Sequence, residues 1–275
     1  MSWLRRLFSA PSARIAGAVL LALLILSVLG GVLAPDNPLA QDVGSILKGP
    51  SSGHLLGTDY LGRDTLSRLI AGSRATLFSA FAMVAIGVVA GALPGIASAF
   101  LHPWAEFAAM RTIDALLSLP TIILAIAIAG LFSDGELAAI IAVGVLLAPR
   151  FFRIARAETL GFARLQYVEA AELMGASRTR IVRTHIFAKV LPTIAVTVAI
   201  SGGYAVLAVS SLSFLGLGVQ PPAPTWGAML AADVDYLYQS SLAPLWPGLA
   251  IVVTVWAFNA LADALRDQTG VQRAV

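Results

Sequence analysis

Six stretches of the chain are apolar over their whole length and long enough to cross a lipid bilayer as helices. A spanning helix needs about 20 mostly apolar residues, because every backbone N–H and C=O group must be hydrogen-bonded within the segment. The pattern therefore predicts an all-α integral membrane protein with about six transmembrane helices. These helices are expected at residues 15–33, 76–100, 112–132, 137–152, 190–212 and 245–265.

The composition supports a lipid environment and disfavours several kinds of enzyme. Of the 275 residues, 58% are hydrophobic and 12% are charged, whereas soluble domains contain about 25% charged residues. There is no cysteine, which excludes disulfides, thiolate nucleophiles and cysteine metal sites. His54, His102 and His185 fall in loops or near span ends, and the sequence shows no cluster of His, Asp or Glu. We therefore expect no catalytic residue and no metal site.

The basic residues lie mainly on one side of the predicted membrane domain if successive spans alternate in direction. Lysine and arginine are retained in the cytoplasm, so the N-terminus with Arg5, Arg6 and Arg14 is placed inside. The first span is longer than the roughly 7–15 apolar residues of a cleavable signal peptide, and we interpret it as an uncleaved anchor. Both termini are therefore expected in the cytoplasm, and nucleic acid is not an expected partner. Of the 18 basic residues, those left for the outer side are Lys48, Arg63, Arg68 and Arg74.

The predicted spans also define the organisation of the chain. The core is expected to contain five transmembrane helices, an inner loop at 150–189 and an outer loop at 213–244. In chain order the segments are 1–34, the N-terminal cytoplasmic segment and first transmembrane helix; 35–73, an extracytoplasmic loop; 74–267, the core; and 268–275, a cytoplasmic tail.

Two local patterns outside the inner loop predict structure. In the loop 35–73, Thr58 or Asp59 is expected to cap a short amphipathic helix, an elbow lying along the outer surface. On the second span, small residues at every fourth position predict close packing of a neighbouring helix, with Pro94 as a kink. The apolar residues expected on the elbow are Leu61, Leu66, Leu69 and Ile70, and the small residues of the second span are Gly87, Gly91 and Gly95.

The inner loop 150–189 is far longer than a helix connection needs. Residues 167–174 are good helix formers, Gly175 stands where that helix would end, and Ser177 can cap a second helix that runs to His185. The loop is therefore expected to fold as helix, glycine turn and helix. Two roles remain open at this point: a knob that enters a groove of another protein, or a surface helix that packs only on its own membrane domain.

The inner loop also carries a motif of a known family. Glu169-Ala170-Ala171, Gly175, Ile181 and His185-Ile186 resemble the EAA loop of ABC importer permeases. Residues 55–64 and 212–227 are similar to the C-type subunits of dipeptide and oligopeptide permeases, a family that also includes nickel and glutathione importers. The chain departs from the family's usual pattern at Ala148, Ala188, Lys189 and Val209.

The resemblance implies a type I ABC importer permease fold in the plasma (inner) membrane, with the chain forming half of a translocation pathway for short peptides. It implies a homologous second permease, two ATP-binding cassette subunits and an extracytoplasmic substrate-binding protein as partners. ATP and Mg would be bound by the ATPase subunits, since this chain has no phosphate-binding loop of its own. No cofactor is expected in this chain. The residues implied in coupling to the ATPase are Glu169, Ala170, Ala171, Leu173, Met174, Gly175, Ala176, Ile181 and His185.

Several alternatives remain open from the sequence. The same class of transporter could import nickel, glutathione or haem, and the residues that bind substrate cannot be named. An ion-coupled secondary transporter is a more distant alternative. Such proteins usually carry ionisable residues at the centres of their spans, whereas Asp114 and Glu136 lie at predicted span ends.

Overall fold

The structure is a computed structural model that describes residues 11–118, 120–131 and 135–269. Helices account for the regular structure of these residues, apart from an isolated β-bridge between Thr58 and Asp64. The predicted all-α fold is confirmed. The helices are α1 (Pro11–Leu33), α2 (Thr65–Ser98, with a π-helical turn at Val88–Ala92), α3 (Pro103–Leu117), α4 (Thr121–Leu131), α5 (Gly135–Ala163), α6 (Gln166–Leu173), α7 (Arg178–Ile181, continued by a π-helical turn Val182–Ile186 and by Phe187–Phe214), α8 (Trp226–Asp235) and α9 (Leu245–Thr269).

Five of these helices, α1, α2, α5, α7 and α9, are long and apolar enough to cross a membrane. Large apolar side chains also lie on the outside of the bundle. On α1, for example, Leu21 is 57% exposed, Val28 69% and Val32 86%. Such a surface is unfavourable in water and favourable against lipid chains, as expected of helices that cross a membrane.

The third predicted span, 112–132, is divided between α3 and α4. Pro120 immediately precedes α4 and has no N–H group with which to continue the hydrogen-bonding pattern of α3. The two helices nevertheless account for one crossing, because α2 and α5 run parallel. Ser79 donates to Glu136 at 3.1 Å near one end of this pair, and Arg156 donates to Ser98 at 3.1 Å near the other. Parallel neighbours require the chain between them to return across the membrane.

Helices α1 and α2 are antiparallel, and so are α7 and α9. Gly30 of α1 lies against Ile70 of α2. Gly202 of α7 lies against Phe258 of α9, and the earlier Val196 and Ala199 cluster with the later Ala262 and Leu265. The starts of α1 and α7 and the ends of α2, α5 and α9 consequently share one end of the bundle, called here the knob end. The other end, called the loop end, carries residues 34–64 and α8. Residues 11 and 269 both lie at the knob end.

The structure corrects two expected boundaries around the inner loop. Helix α5 does not stop near Phe152 but continues through Pro149 and Arg150 to Ala163, and α7 begins at Arg178 rather than near Val190. Hydropathy marks where a helix leaves the apolar layer, whereas the backbone hydrogen bonds continue beyond it. Most of the predicted loop 150–189 is therefore helical.

The expected elbow is also wrong. Neither Thr58 nor Asp59 caps a helix; Asp64 caps α2, and its side chain accepts from the Ser67 backbone N–H at 2.8 Å. Asp59 instead holds a tight turn, with its carboxylate accepting from the backbone N–H groups of Leu61 and Arg63. Leu66, Leu69 and Ile70 consequently belong to the first turns of a spanning helix rather than to a separate surface helix.

The glycine stripe of α2 packs against α5 as predicted. A Cβ atom added to Gly87 would lie 2.8 Å from Leu147 Cβ, and one added to Gly95 would lie 2.6 Å from the Phe152 carbonyl oxygen. A Cβ on Gly91 would overlap the carbonyl oxygen of Ala148. The π-helical turn at Val88–Ala92 lies just before Pro94, which cannot donate a backbone hydrogen bond.

Candidate functional site: the knob and the loop end

Residues 166–185, called here the knob, project from one end of the bundle as α6, a glycine turn and the start of α7. The turn is a Schellman motif: Ala176 N–H donates to the Ala171 carbonyl at 3.0 Å, and Gly175 N–H donates to that of Glu172 at 2.9 Å. Gly175 has a φ of +83°. Because L-residues with a Cβ rarely adopt this conformation, the turn depends on glycine.

The knob has a buried inner face and an exposed apolar tip. Val168 and Ile181 are 1% and 0% exposed and pack into the main apolar core. At the tip, Leu173 is 84% exposed and Met174 is 81% exposed. Burial of the inner face holds the knob on its own domain. The two large apolar side chains at the tip remain exposed and could contact a partner.

The structure separates the predicted coupling residues into two groups. Glu169, Ala170, Leu173 and Met174 are exposed, whereas Ala171 and Ile181 are buried in their own domain. Ala171 and Ile181 therefore support the knob from inside, whereas Ala170 is exposed on its surface. The knob therefore packs on its own domain through one face and exposes the other.

His185 and Ala176 lie at the base of the knob. The His185 ring is partly exposed and lies 5.9 Å from the Tyr167 ring, centroid to centroid. This contact joins the first turn of α6 to the start of α7. Ala176 is partly buried against the core.

A π-helical turn connects the knob to the span that follows it. The Phe187 N–H bonds to the Val182 carbonyl, five residues back rather than four. Such turns are rare, are costly relative to a regular helix, and frequently occur at functional positions. The knob is therefore joined to α7 through a locally irregular helix rather than through a flexible loop.

At the loop end, a buried charged cluster connects residues 59–68 to α8. Asp59 accepts from Arg63 Nε at 2.7 Å and from Arg68 Nε at 3.3 Å. The Tyr60 and Tyr236 rings are stacked with centroids 5.3 Å apart. Separately, the Trp226 indole donates to the Leu69 carbonyl at 2.9 Å. The outer loop 213–244 is thereby attached to the start of α2.

Asp233 of α8 stands out in this cluster. Its side chain is buried, and its Oδ2 atom has no hydrogen-bond partner. Burial, together with the negative charge of Asp59, raises the pKa of Asp233 to about 7. No local sequence pattern indicated this group, because its burial depends on packing between segments far apart in the chain.

We expect the free energy of unfolding to decrease as the pH rises from about 4 to about 7, because of Asp233. In this range the unfolded chain has lost the proton while the folded one keeps it, since the folded pKa is about 7 against 3.8 for the free group. The loss of stability from this group at high pH is at most about 4 kcal/mol.

Thermal unfolding of the detergent-purified protein at pH 5 and pH 8 should show a lower Tm at pH 8, and Asp233→Asn should reduce that difference. Asp235→Asn, at an exposed position of the same helix, should retain it; equal behaviour of the two variants would contradict the assignment.

The structure also brings together three side chains of types that can bind metal ions, which the sequence analysis did not connect. Asp36, His54 and Asp64 come from three separate parts of the loop end, and one ligand atom of each lies within 4.8 Å of the others. The residues are far apart in the chain, so no local spacing indicated the group.

Together these features define a polytopic helical membrane protein with a rigid, apolar-tipped knob at one end. A family described as binding-protein-dependent transport system inner membrane component matches residues 84–268. A second family, described as the N-terminal TM domain of oligopeptide transport permease C, matches residues 2–50.

Individual proteins match nearly the whole chain. The glutathione transport system permease protein GsiD of Pectobacterium atrosepticum is 37% identical over 264 residues, covering 96% of this chain and 88% of that protein. A putative peptide transport system permease protein of Brucella suis is 38% identical, with coverages of 96% and 88%. A probable D,D-dipeptide transport system permease protein of Escherichia coli is 33% identical, with coverages of 94% and 86%.

The chain therefore belongs to the family of binding-protein-dependent transport system inner membrane components, and it is a membrane permease subunit of a transport system. The type I permease fold that the EAA motif implied is confirmed. Membership of this family argues against the ion-coupled secondary transporter that the sequence had left open.

Proposed function

We propose that this chain is one of two homologous permease subunits of an ATP-driven importer for short peptides. Two separate ATPase subunits would bind the knob end, and an extracytoplasmic binding protein would deliver substrate at the loop end. Both termini would then be cytoplasmic. The observation that carries the proposal is the exposed Leu173–Met174 pair at the tip of a rigidly capped turn.

The distribution of charge supports this orientation. In the part of the chain that the structure describes, eleven basic residues belong to segments at the knob end and four to the loop end. Those at the knob end are Arg14, Arg111, Arg150, Arg153, Arg156, Arg164, Arg178, Arg180, Arg183, Lys189 and Arg266, and those at the loop end are Lys48, Arg63, Arg68 and Arg74. Retention of positive charge in the cytoplasm then places the knob inside. ATP is available there, so a partner that hydrolyses it would meet the knob.

Short peptides are proposed as the substrate because the relatives named above are designated peptide, D,D-dipeptide and glutathione permeases. Glutathione itself is the second candidate, supported by 37% identity to a designated glutathione permease. Uptake of labelled dipeptide and of labelled glutathione by the reconstituted complex would distinguish the two. Uptake of glutathione alone would overturn the peptide assignment.

We expect Leu173→Asp with Met174→Asp to abolish stable association with the ATPase subunits. Two charges at an apolar contact would have to be desolvated without partners, which costs several kcal/mol. Both side chains are more than 80% exposed in this subunit, so the permease itself should still fold. Co-purification of the ATPase with the permease, and ATP-dependent uptake, measure the effect.

The matched control exchanges the same two side chains, Leu173→Met with Met174→Leu. This change preserves the apolar surface at the tip, and association should remain within about threefold of the wild type, as is usual for volume-conserving apolar exchanges. Normal ATPase binding by the doubly charged variant would refute the proposed docking role of the knob.

A further inference from the structure

We infer that Asp36, His54 and Asp64 form a binding site for one divalent transition-metal ion at the loop end. Each residue offers one ligand atom, and these atoms all lie within 4.8 Å of one another. The three residues come from the chain just after α1, from the middle of the following loop and from the N-cap of α2. An ion held by all three would link the end of the first span to the start of the second.

The structure positions Asp64 so that its two carboxylate oxygens have different roles. Oδ2 accepts from the Ser67 backbone N–H at 2.8 Å and from the Ser67 hydroxyl at 2.7 Å. Oδ1 points to the other side and lies 3.0 Å from His54 Nδ1. The first oxygen orients the carboxylate, and the second remains directed into the cluster. Such outer hydrogen bonds are a general feature of protein metal sites.

Asp36 and His54 are also held by their backbones rather than by their ligand atoms. The Asp36 N–H donates to the hydroxyl of Ser67 at 2.9 Å, so the buried Ser67 orients both carboxylate residues. The His54 carbonyl accepts from Ser51 N–H at 2.9 Å and from Gly57 N–H at 3.0 Å. The three side chains are therefore brought together by an ordered backbone that does not depend on an ion.

The donor set and the spacing fit a first-row divalent ion. One imidazole nitrogen with two carboxylate oxygens suits zinc, manganese or iron better than magnesium, which prefers oxygen ligands alone. Two ligand atoms on adjacent corners of an octahedron with bonds of about 2.1 Å are separated by about 3 Å, which agrees with the 3.0 Å between His54 Nδ1 and Asp64 Oδ1. Asp36 is exposed and His54 partly exposed, so water can complete the coordination.

A simple hydrogen bond between His54 and Asp64 predicts a different outcome. In that case Nδ1 carries a proton that it donates to the carboxylate, and Asp36 has no role. In the metal site Nδ1 is unprotonated and donates its lone pair to the ion. The contribution of the Asp36 carboxylate therefore separates the two cases. The hydrogen bond from Asp36 to Ser67 is made by the backbone N–H of Asp36, so it survives Asp36→Asn.

The experiment uses the detergent-purified full chain without a polyhistidine tag, stripped of metal with a chelator and titrated with zinc chloride. Calorimetry should show that one zinc ion binds tightly to each chain. Zinc should raise the Tm, and magnesium should not. Asp36→Asn and His54→Gln should each weaken zinc binding at least tenfold. His102→Gln, which changes a histidine at the opposite end, should have no effect.

If the chain does not bind one zinc ion, the proposed site is refuted. Binding that survives both Asp36→Asn and His54→Gln would also overturn it, since the ion would then lie elsewhere. Loss in His54→Gln with full retention in Asp36→Asn would exclude the three-residue site. In each variant, the Tm measured in chelator reports whether the fold is intact, so a failure to fold is not mistaken for a loss of binding.

Discussion

Gly175→Val is expected to separate ATP hydrolysis from transport in the reconstituted complex. Gly175 holds a φ of +83°, which costs a residue with a Cβ about 1–2 kcal/mol and a β-branched residue more. A Cβ at this position would meet no atom within 4 Å, so the effect is one of backbone conformation and not of a clash. The Schellman turn would open, the tip would lose its position, and uptake per ATP hydrolysed should fall about tenfold.

Two control variants separate this effect from general damage. Gly175→Asn should retain most of the coupling, because asparagine tolerates the left-handed region better than other residues. Gly161→Val replaces a glycine of α5 that likewise has no neighbour within 4 Å but has no positive φ, and it should also remain coupled. If the complex with Gly175→Val transports substrate at the normal rate, the glycine turn does not couple ATP hydrolysis to transport.

Gly91→Leu is expected to have the largest effect on folding. A Cβ at this position would overlap the Ala148 carbonyl oxygen and lie 2.8 Å from Phe151 Cβ, so α2 and α5 would have to separate. Overpacking of this kind costs about 1–3 kcal/mol, and more where backbone must move. We expect the Tm in detergent to fall by about 5 °C or more, together with a lower yield of folded protein.

Gly31→Leu provides the matched control. Gly31 also lies within a spanning helix, α1, but an added Cβ would meet no atom within 4 Å and would face lipid. The Tm of this variant should remain within about 2 °C of the wild type. Equal destabilisation by the two substitutions would show that the α2–α5 contact is not selectively sensitive to side-chain volume.

The features that the sequence predicted well are those specified by local patterns. Apolar length placed the long helices, and the spacing from Glu169 to His185 placed the knob with its glycine turn. The four-residue repeat of Gly87, Gly91 and Gly95 predicted a close helix contact, although it could not name α5 as the partner. In each case the pattern is contained within about one helix.

The features that the sequence did not predict depend on segments brought together by folding. Asp36, His54 and Asp64 belong to different turns, and Asp233 becomes buried only where α8 meets the start of α2. The extension of α5 beyond Phe152 was missed because apolar content, not helix formation, ends there. The break between α3 and α4 at Pro120 was also missed, because the sequence is apolar on both sides of this proline.

The most direct test of the docking role of the knob is the labelling of Met174→Cys with a membrane-impermeant maleimide. The chain contains no cysteine, so this thiol is unique, and Tyr238→Cys provides a fully exposed reference at the loop end. In spheroplasts Tyr238→Cys should be labelled and Met174→Cys should not. In inside-out vesicles stripped of the ATPase, Met174→Cys should be labelled, and adding the ATPase back should protect it. Labelling of Met174→Cys in spheroplasts, or no protection by the ATPase, would contradict the account.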